Sequence, residues 1–520
     1  MSTSPPLLGA PLTRRRFLAL AAATAAAGAA RCDLGVPRIP GYPFTLGVAS
    51  GDPLHDRVVL WTRLAPEPLA ADGRGGMPLV PVTVYYEIAN DEGFQSTVRL
   101  GAAVAHPDLA HSVHADVDGL APGRWYYYRF WAPGYVSPAG RTRTLPAPGE
   151  APAVFRLASA TCQQYANGYY TSHAALAAED LDLVAFLGDY IYEGGNTGPV
   201  RSHDGPRIRD LAGYRNRYAL SKSDPNLQAS HHAFPWIVTW DDHEVSDNYA
   251  GDFSGSTAMS TAAFLSLRAA AYQAWYEHMP VRLLPPSGAS LRIHHQLAVG
   301  DLASIFVLDT RQYRTRQECG TGREGIPCAG FPSPTGDMLG AEQEAWLLAG
   351  LGGSSARWNV LAQQVQFAPK PLGVFVSFDA WDGYPFARDR ITSFLRSRDE
   401  RNTVVLTGDL HASVVAWVPG TPMGPPSTYA DPVASEFLAT GISSGQLDPA
   451  THAVLEVGYR TLPNMVHYEA LWHGYVRHEI GRDLWRADYR SVETVSEPTS
   501  PVFTSASFVV ERGDPVPLEV

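Results

Sequence analysis

Carboxylates, imidazoles and a thiol follow several apolar runs of this chain, at the points where those runs end. The block Gly188-Asp189-Tyr190-Ile191-Tyr192-Glu193 comes directly after the apolar run 181–187 and carries a carboxylate followed by a phenol. Three further runs end in comparable groups, which are Cys162, Asp241-Asp242-His243-Glu244 and Gly408-Asp409-Leu410-His411. In open α/β sheets, ligands bind beyond the carboxyl ends of the strands, so we expect these groups to meet. Their chemistry predicts a metal centre.

A centre that hydrolyses phosphate esters needs a carboxylate shared by two metal ions, with open positions for water and substrate. Asp189 suits the shared position, and Tyr192 is close enough in sequence to bind one of the same ions. A phenolate and a thiolate on one ion favour Fe³⁺. The predicted iron ligands are Cys162, Asp189, Tyr192 and His411.

The second ion has a predicted ligand set made almost entirely of oxygen. Its members are Asp189, Asp242, Gln363 and Asp409. Such ligands favour Ca²⁺ over zinc, with Mn²⁺ or Mg²⁺ as alternatives at the same site.

Two further residues are candidates for contact with the substrate. His243 is next to Asp242, and we predict that it donates to the phosphate or protonates the leaving alkoxide. The alternative is a histidine that only orients its neighbours. Asn248 is predicted to be a further phosphate donor, and a side chain that caps its own loop is an equal alternative.

Other conspicuous polar residues favour structural interpretations. Arg311 could clamp phosphate, but an ion pair with Asp309 or with a neighbouring carboxylate is favoured. Asp379, Asp382 and Asp389 could bind calcium, but solvated surface charge is favoured.

Two histidine pairs, His231-His232 and His294-His295, resemble metal ligands by type alone. We place both pairs on strands, where adjacent side chains point to opposite faces of the sheet. Neither pair is therefore expected to chelate one ion.

Composition excludes several classes of protein. The chain has 520 residues, 45% of them apolar and 18% charged, which is typical of a globular protein with two or three domains. Its formal net charge of −12 argues against a stable nucleic-acid partner.

The N-terminus resembles a twin-arginine export signal over residues 1–31. Arg14-Arg15-Arg16-Phe17-Leu18 precedes the apolar stretch 19–30, which is too short to span a bilayer. A lipoprotein signal ending at Cys32 is less favoured, because Arg31 precedes it where a small residue is expected. We therefore expect a periplasmic or extracellular protein that meets the twin-arginine export machinery, has no transmembrane anchor and is monomeric.

Three of the cysteines bear on this environment. Cys319 and Cys328 flank a glycine-rich loop and could close a short disulfide in an oxidising compartment. Cys162 then stays unpaired, either as a small buried apolar side chain or, as we favour, as a metal thiolate.

The organisation of the chain changes near residue 150. Residues 40–145 contain β-rich runs at 58–64, 82–88 and 125–130, separated by turn residues, which predicts a β-sandwich. From residue 153 to 515, apolar runs alternate with helical stretches at 261–278 and 340–351, and a hairpin at 475–490 follows. This alternation predicts a layered α/β domain.

Together the motifs resemble the calcineurin-like metallophosphoesterases and the purple acid phosphatases, whose blocks read GDxxY, GNH[DE] and GHxH. Here Asp242 replaces the Asn, Asp409 the first His, Gln363 a His and Cys162 an Asp. That pattern is similar to the alkaline phosphatase D (PhoD) family, as are the segments 47–53, 308–313 and 381–384.

The resemblance implies an α/β fold in which the N-terminal β-sandwich is followed by a four-layer αββα metallophosphoesterase domain. It also implies an exported alkaline phosphatase that hydrolyses phosphomonoesters and phosphodiesters, with small molecules, phospholipids or nucleotide polymers as candidate substrates. A phospholipase D-like phosphodiesterase acting on lipid head groups is the alternative. A binding protein without turnover is disfavoured, because the predicted ligand set is intact.

Overall fold

The computed structural model describes residues 37–195, 198–203, 205–255, 259–321 and 324–520. The predicted export signal and Cys32 lie outside these residues. Within them, no helix is both long and apolar enough to cross a membrane.

Twenty-two strands form three sheets in the described residues. The first eight are β1 (Val48–Gly51), β2 (Val58–Arg63), β3 (Val82–Ala89), β4 (Thr97–Ala105), β5 (Ser112–Val117), β6 (Trp125–Ala132), β7 (Tyr135–Val136) and β8 (Gly140–Arg143). The next seven are β9 (Val154–Ala160), β10 (Leu183–Phe186), β11 (Pro235–Val238), β12 (His295–Val299), β13 (Ala303–Val307), β14 (Trp358–Ala362) and β15 (Thr403–Thr407). The last seven are β16 (Ser413–Pro419), β17 (Pro432–Leu438), β18 (Met465–Glu469), β19 (His473–Gly481), β20 (Leu484–Val492), β21 (Val502–Glu511) and β22 (Asp514–Glu519).

Seven α-helices accompany these strands in the same part of the chain. They are α1 (Thr171–Ala177), α2 (Leu211–Lys222), α3 (Pro225–Ala233), α4 (Thr261–His278), α5 (Gly340–Gly353), α6 (Pro385–Ser397) and α7 (Pro449–Arg460). Short 3-10 helices occur at Pro107–Leu109, Trp381–Gly383 and Pro426–Thr428.

Two large sheets lie at the centre of the molecule. The first has the order β22-β21-β20-β19-β9-β10-β11-β1-β2-β5, and β9, β10, β11 and β1 run parallel in it. The second has the order β12-β13-β14-β15-β17-β16-β18, with β13, β14, β15 and β17 parallel.

The two sheets pack face to face, and helices cover their outer faces. Along β10, Leu183 and Ala185 join the core between the sheets, whereas Val184 and Phe186 face helices α1 to α4. Both faces of this strand are buried, which is why its sequence is a continuous apolar run. Helices α5 to α7 pack on the second sheet. The predicted four-layer αββα arrangement is confirmed.

The N-terminal β-sandwich is also confirmed. One layer is β4-β3-β6-β7, with β8 paired to β6, and the other is β1-β2-β5. Alternate residues of β6, including Tyr126, Tyr128 and Phe130, fill the core between the layers. Because β1 pairs in parallel with β11, the second layer continues directly into the first of the two large sheets.

The strand assignment of the histidine pairs was partly wrong. His231 and His232 lie in α3, which begins where Asp224 accepts hydrogen bonds from the backbone of its first turn and Pro225 takes the first helical position. His294 precedes β12 and His295 is its first residue.

Candidate metal centre

The predicted ligands lie on loops that follow parallel strands at one end of the two sheets. Cys162 follows β9, Asp189 follows β10, Asp242 follows β11, Gln363 follows β14, and Asp409 and His411 follow β15. The parallel direction of these strands explains why ligands distant in sequence share one edge.

Several of these residues have left-handed backbone conformations. The φ angles are 56° at Cys162, 58° at Asp189, 54° at Asn248, 61° at Asp409 and 61° at His411. This conformation is unfavourable for residues other than glycine and persists only where surrounding contacts enforce it. Its concentration here is typical of a functional site.

A glycine before Asp189 permits the close approach of two loops. Gly188 has a φ of 106°, and a Cβ atom there would lie 2.5 Å from the Cβ of Asp241. Only glycine fits this position, so Asp189 and the loop after β11 can lie side by side.

The ligand atoms form three overlapping groups, in each of which all atoms lie within 4.8 Å of one another. The groups are Cys162, Asp189 and His411; Asp189, Asp242 and His243; and Asp241, Asp242 and Asp409. Asp189 belongs to two groups, and so does Asp242. Asp241 was not among the predicted ligands, although it directly precedes Asp242 in the motif.

Tyr192 lies at the first of these groups. Its hydroxyl donates to Oδ2 of Asp189 at 2.9 Å and lies 3.2 Å from Nε2 of His411. The Cys162 thiol is 3.5 Å from the same Asp189 oxygen. All the side chains predicted to bind iron are therefore in contact.

The electrostatics of the centre favour a bound cation. Burial raises the pKa of Asp189 well above its usual value, and the charges of Asp242 and Glu244 raise it further. Burial also raises the pKa of the Cys162 thiol and of the Tyr192 phenol, in both cases with a contribution from Asp189. Oδ1 of Asp189 is buried and finds no hydrogen-bond donor among the described residues. The neighbouring carboxylates cannot all be negatively charged unless a cation compensates their charge. A buried acceptor without a donor, in such a cluster, fits a metal site.

Arg311 lies fully buried among the carboxylates. Its Nε donates to Asp241 and its Nη1 lies 2.8 Å from Asp379, while Asp242 and Asp409 are within 4 Å of Nη2. The favoured prediction, an ion pair with a neighbouring carboxylate, is confirmed. The positive charge of Arg311 therefore compensates part of the negative charge of these carboxylates.

The prediction of solvated charge was wrong for Asp379. This residue is buried, and it pairs with Arg314 as well as with Arg311. Asp382 is also largely buried and pairs with Arg388. Arg311 and Arg314 lie more than 60 residues before Asp379 in the sequence, and Arg388 lies in the helix that follows Asp382. These ion pairs could therefore not be predicted from the acidic residues alone.

His243 is oriented by a carboxylate. Its Nδ1 lies 2.7 Å from Oε2 of Glu193, and its ring packs on that of Tyr192 with 4.2 Å between centroids. Burial acts to lower the pKa of His243, but the charges of Asp242, Asp189 and Glu193 outweigh it and raise the pKa well above its usual value.

Glu244 is a residue to which sequence reasoning gave no role. Its carboxylate accepts hydrogen bonds from the backbone N–H groups of Asp189 at 3.0 Å, Tyr190 at 2.5 Å and Asp241 at 2.8 Å. It therefore ties the loop after β10 to the loop after β11. Its place beside His243 in the motif was the only signal in the sequence.

Gln363 and Asn248 use their side chains in protein contacts. The Gln363 amide donates to Thr407 at 2.7 Å, and its oxygen accepts from Trp381 at 3.1 Å. The Asn248 amide donates to the carbonyl of Thr321 at 2.8 Å, and its backbone N–H donates to Asp242 at 2.6 Å. The prediction that Gln363 binds the second ion and the prediction that Asn248 donates to phosphate are not tested by these contacts.

Thr321 belongs to the glycine-rich loop. Cys319 and Cys328 are joined by a disulfide across it, and Cys162 is the free cysteine among the described residues. The loop that carries the disulfide therefore contacts the edge of the centre through Asn248.

The comparisons with known proteins agree with this geometry. Residues 157–489 match the model of the PhoD-like phosphatase family, and residues 29–146 match the model of the N-terminal domain of PhoD-like phosphatases. The chain is 47% identical over 487 residues to alkaline phosphatase D of Bacillus subtilis (strain 168), covering 92% of this chain and 82% of that protein. It superimposes on a solved structure of PhoD with a TM-score of 0.88 and 45% identity, covering 93% of each chain.

The family match and the relative show a phosphoric ester hydrolase, and the clustered metal-competent groups at the strand ends agree with a metal-dependent one. More narrowly, the chain belongs to the PhoD-like phosphatase family. Because the matching family and the Bacillus subtilis relative are phosphatases by name, the phospholipase D-like alternative is not favoured.

Proposed function

We propose that this phosphatase is exported, and that it hydrolyses phosphomonoesters and phosphodiesters at a centre of two unlike metal ions. The observation that carries the proposal is the position of Asp189. This carboxylate belongs to two of the ligand groups, and one of its oxygens is buried without a hydrogen-bond donor in the described residues.

The donor chemistry on the two sides of Asp189 differs. Cys162, Tyr192 and His411 offer sulfur, phenol oxygen and nitrogen on one side, which suits Fe³⁺. Asp242 and Asp409 offer oxygen on the other, which suits Ca²⁺, or Mn²⁺ or Mg²⁺ in its place. Gln363 is the proposed additional oxygen ligand of the second ion. When bound, such ions polarise phosphoryl oxygens and lower the pKa of water.

His243 is the proposed proton donor to the leaving group. Since Nδ1 is held by Glu193, that nitrogen carries a proton and Nε2 is left to face the substrate. The neighbouring acids favour the protonated ring, which suits the donation of a proton to an alkoxide. Asn248 is the proposed additional contact to the phosphate.

Export by the twin-arginine route rests on residues 14–18 and the short apolar stretch that follows. A folded, metal-loaded enzyme is the cargo that this route accepts. The disulfide between Cys319 and Cys328 fits an oxidising compartment. We propose a monomer whose substrates are phosphate esters, with no stable nucleic-acid partner.

A substrate panel tests this function. Purified enzyme with added Ca²⁺ is given 4-nitrophenyl phosphate, bis(4-nitrophenyl) phosphate and phosphatidylcholine. We expect turnover of the first two and no release of choline. The Asp189→Ala variant should lose both turnover and metal, whereas Asp389→Asn, at a half-buried aspartate of α6, should keep both. Release of choline alone, or activity retained in Asp189→Ala, would contradict the proposal.

A further inference from the structure

A cavity of about 430 Å³ lies between the N-terminal sandwich and the α/β domain. Residues after β1, residues after α4 and the segment that leads into β12 surround it. No predicted metal ligand lines it. It is therefore a separate compartment from the metal centre.

The walls of this cavity are largely apolar. They include the indole rings of Trp275 and Trp346, together with Leu54, Val281 and Leu283. Aromatic and aliphatic walls of this kind accept the apolar body of a small molecule.

The charged groups of the cavity are mainly cationic. Arg282 and Arg292 line it, and His295 lies there in an ion pair with Asp52 at 3.5 Å. The backbone N–H of Arg282 donates to the other oxygen of Asp52 at 2.7 Å. Arg282 is paired with Asp116 and Arg292 lies 4.0 Å from Glu342, but neither of these acids lines the cavity. The two guanidinium groups therefore form the cationic part of the cavity wall.

Arg282 has donor capacity to spare. Its Nε donates to Asp116 at 3.1 Å, but its Nη2 is buried and has no hydrogen-bond partner in the part of the chain that the structure describes. A guanidinium nitrogen of this kind binds a carboxylate, sulfonate or phosphate oxygen well.

His294 provides a second set of unused polar atoms. The residue is 4% exposed, and neither of its ring nitrogens has a hydrogen-bond partner among the described residues. Its ring contacts that of Trp346 at 5.0 Å between centroids. Burial lowers the pKa of His294 to about 4, so the neutral ring offers one donor and one acceptor.

Leaving a buried polar group unpaired is unfavourable, because the group has lost its hydrogen bonds to water. Here three such nitrogens, on Arg282 and His294, occur around one cavity whose walls are largely apolar. We propose that this cavity is a second ligand site, which binds a small organic anion. The acid group lies beside Arg282 and Arg292, and the aromatic or alkyl body packs against Trp275 and Trp346.

The test measures binding of 1-naphthoate to the full-length holoenzyme by isothermal titration calorimetry. Two further probes separate the contributions of the acid group and of the aromatic body to binding. 1-Naphthalenemethanol lacks the negative charge, and inorganic phosphate lacks the apolar body. We expect saturable binding of 1-naphthoate at one site per chain and weaker binding of both other probes.

Substitutions locate the site. Arg292→Gln, at a side chain 58% exposed, should weaken 1-naphthoate binding by about tenfold or more, and His294→Phe should weaken it as well. Arg460→Gln removes an arginine of α7 that is 76% exposed, and this variant should bind like the wild type. Turnover of 4-nitrophenyl phosphate should be unchanged in Arg292→Gln, which separates this site from the metal centre. Absence of saturable binding, or equal affinity in all three variants, would overturn the proposal.

Discussion

Oε2 of Glu193 lies 2.7 Å from Nδ1 of His243, and Oε1 of the same carboxylate lies 3.0 Å from Arg207 and 3.1 Å from the backbone N–H of Asp247. Burial acts to raise the pKa of Glu193, but these partners, with His243 first among them, lower it. Glu193 is therefore an ionised and fixed acceptor. It fixes the orientation of His243 and favours the protonated form of its ring.

Replacing this acceptor should impair turnover more than metal binding. We expect Glu193→Gln to lower kcat by about 10–100-fold, the effect typical of lost orienting contacts at such centres. Steady-state kinetics with 4-nitrophenyl phosphate, alongside metal analysis, checks this. Glu344→Gln, which removes a carboxylate of α5 paired with Arg390, is the control. An unchanged kcat in Glu193→Gln would show that His243 needs no partner.

Glu244 should matter for the assembly of the centre. Its two oxygens accept three backbone N–H groups, and a glutamine has only one oxygen to offer them. We expect Glu244→Gln to lower the free energy of unfolding by about 1–3 kcal/mol and to reduce bound iron. Urea denaturation and elemental analysis measure the two effects. Glu342→Gln, at an exposed side chain, is the control, and equal stability of both variants would refute the role of Glu244.

Lys222 should make stability depend on pH. The side chain is fully buried over the ring of Trp61, and burial lowers its pKa to about 7. Between that pH and the usual pKa of lysine, the unfolded chain holds a proton that the folded chain lacks, so stability rises with pH in this window. The penalty is complete below pH 7 and amounts to roughly 5 kcal/mol at most.

We therefore expect Lys222→Met to be more stable than the wild type near pH 7, with a difference that shrinks toward pH 10. Thermal unfolding at a series of pH values measures this. Lys370→Met, at the other lysine of the chain, is the comparison that shows whether a trend is specific to Lys222. A stability difference that is constant with pH would contradict the shifted pKa of Lys222.

The strand ends of the centre were predictable because continuous apolar runs mark buried parallel strands, and their last residues define the ligand edge. Helix α4 was predicted with the bounds that the structure gives it. The helix that holds His231 and His232 was missed, although Asp224-Pro225 is a recognisable helix start.

Other features depend on contacts between distant segments. The pairing of β1 with β11 joins residues far apart in sequence, and so do the ion pairs of Arg311 with Asp241 and Asp379. Local sequence carries no information on such partners. The same holds for the three backbone groups that Glu244 binds.

The most direct test of the centre is the visible spectrum of the natively exported protein at known iron content. A phenolate from Tyr192 and a thiolate from Cys162 on Fe³⁺ should give a charge-transfer band. At matched iron content, Tyr192→Phe should shift or weaken that band. Protein that is colourless with its full complement of iron would contradict the proposed ligands.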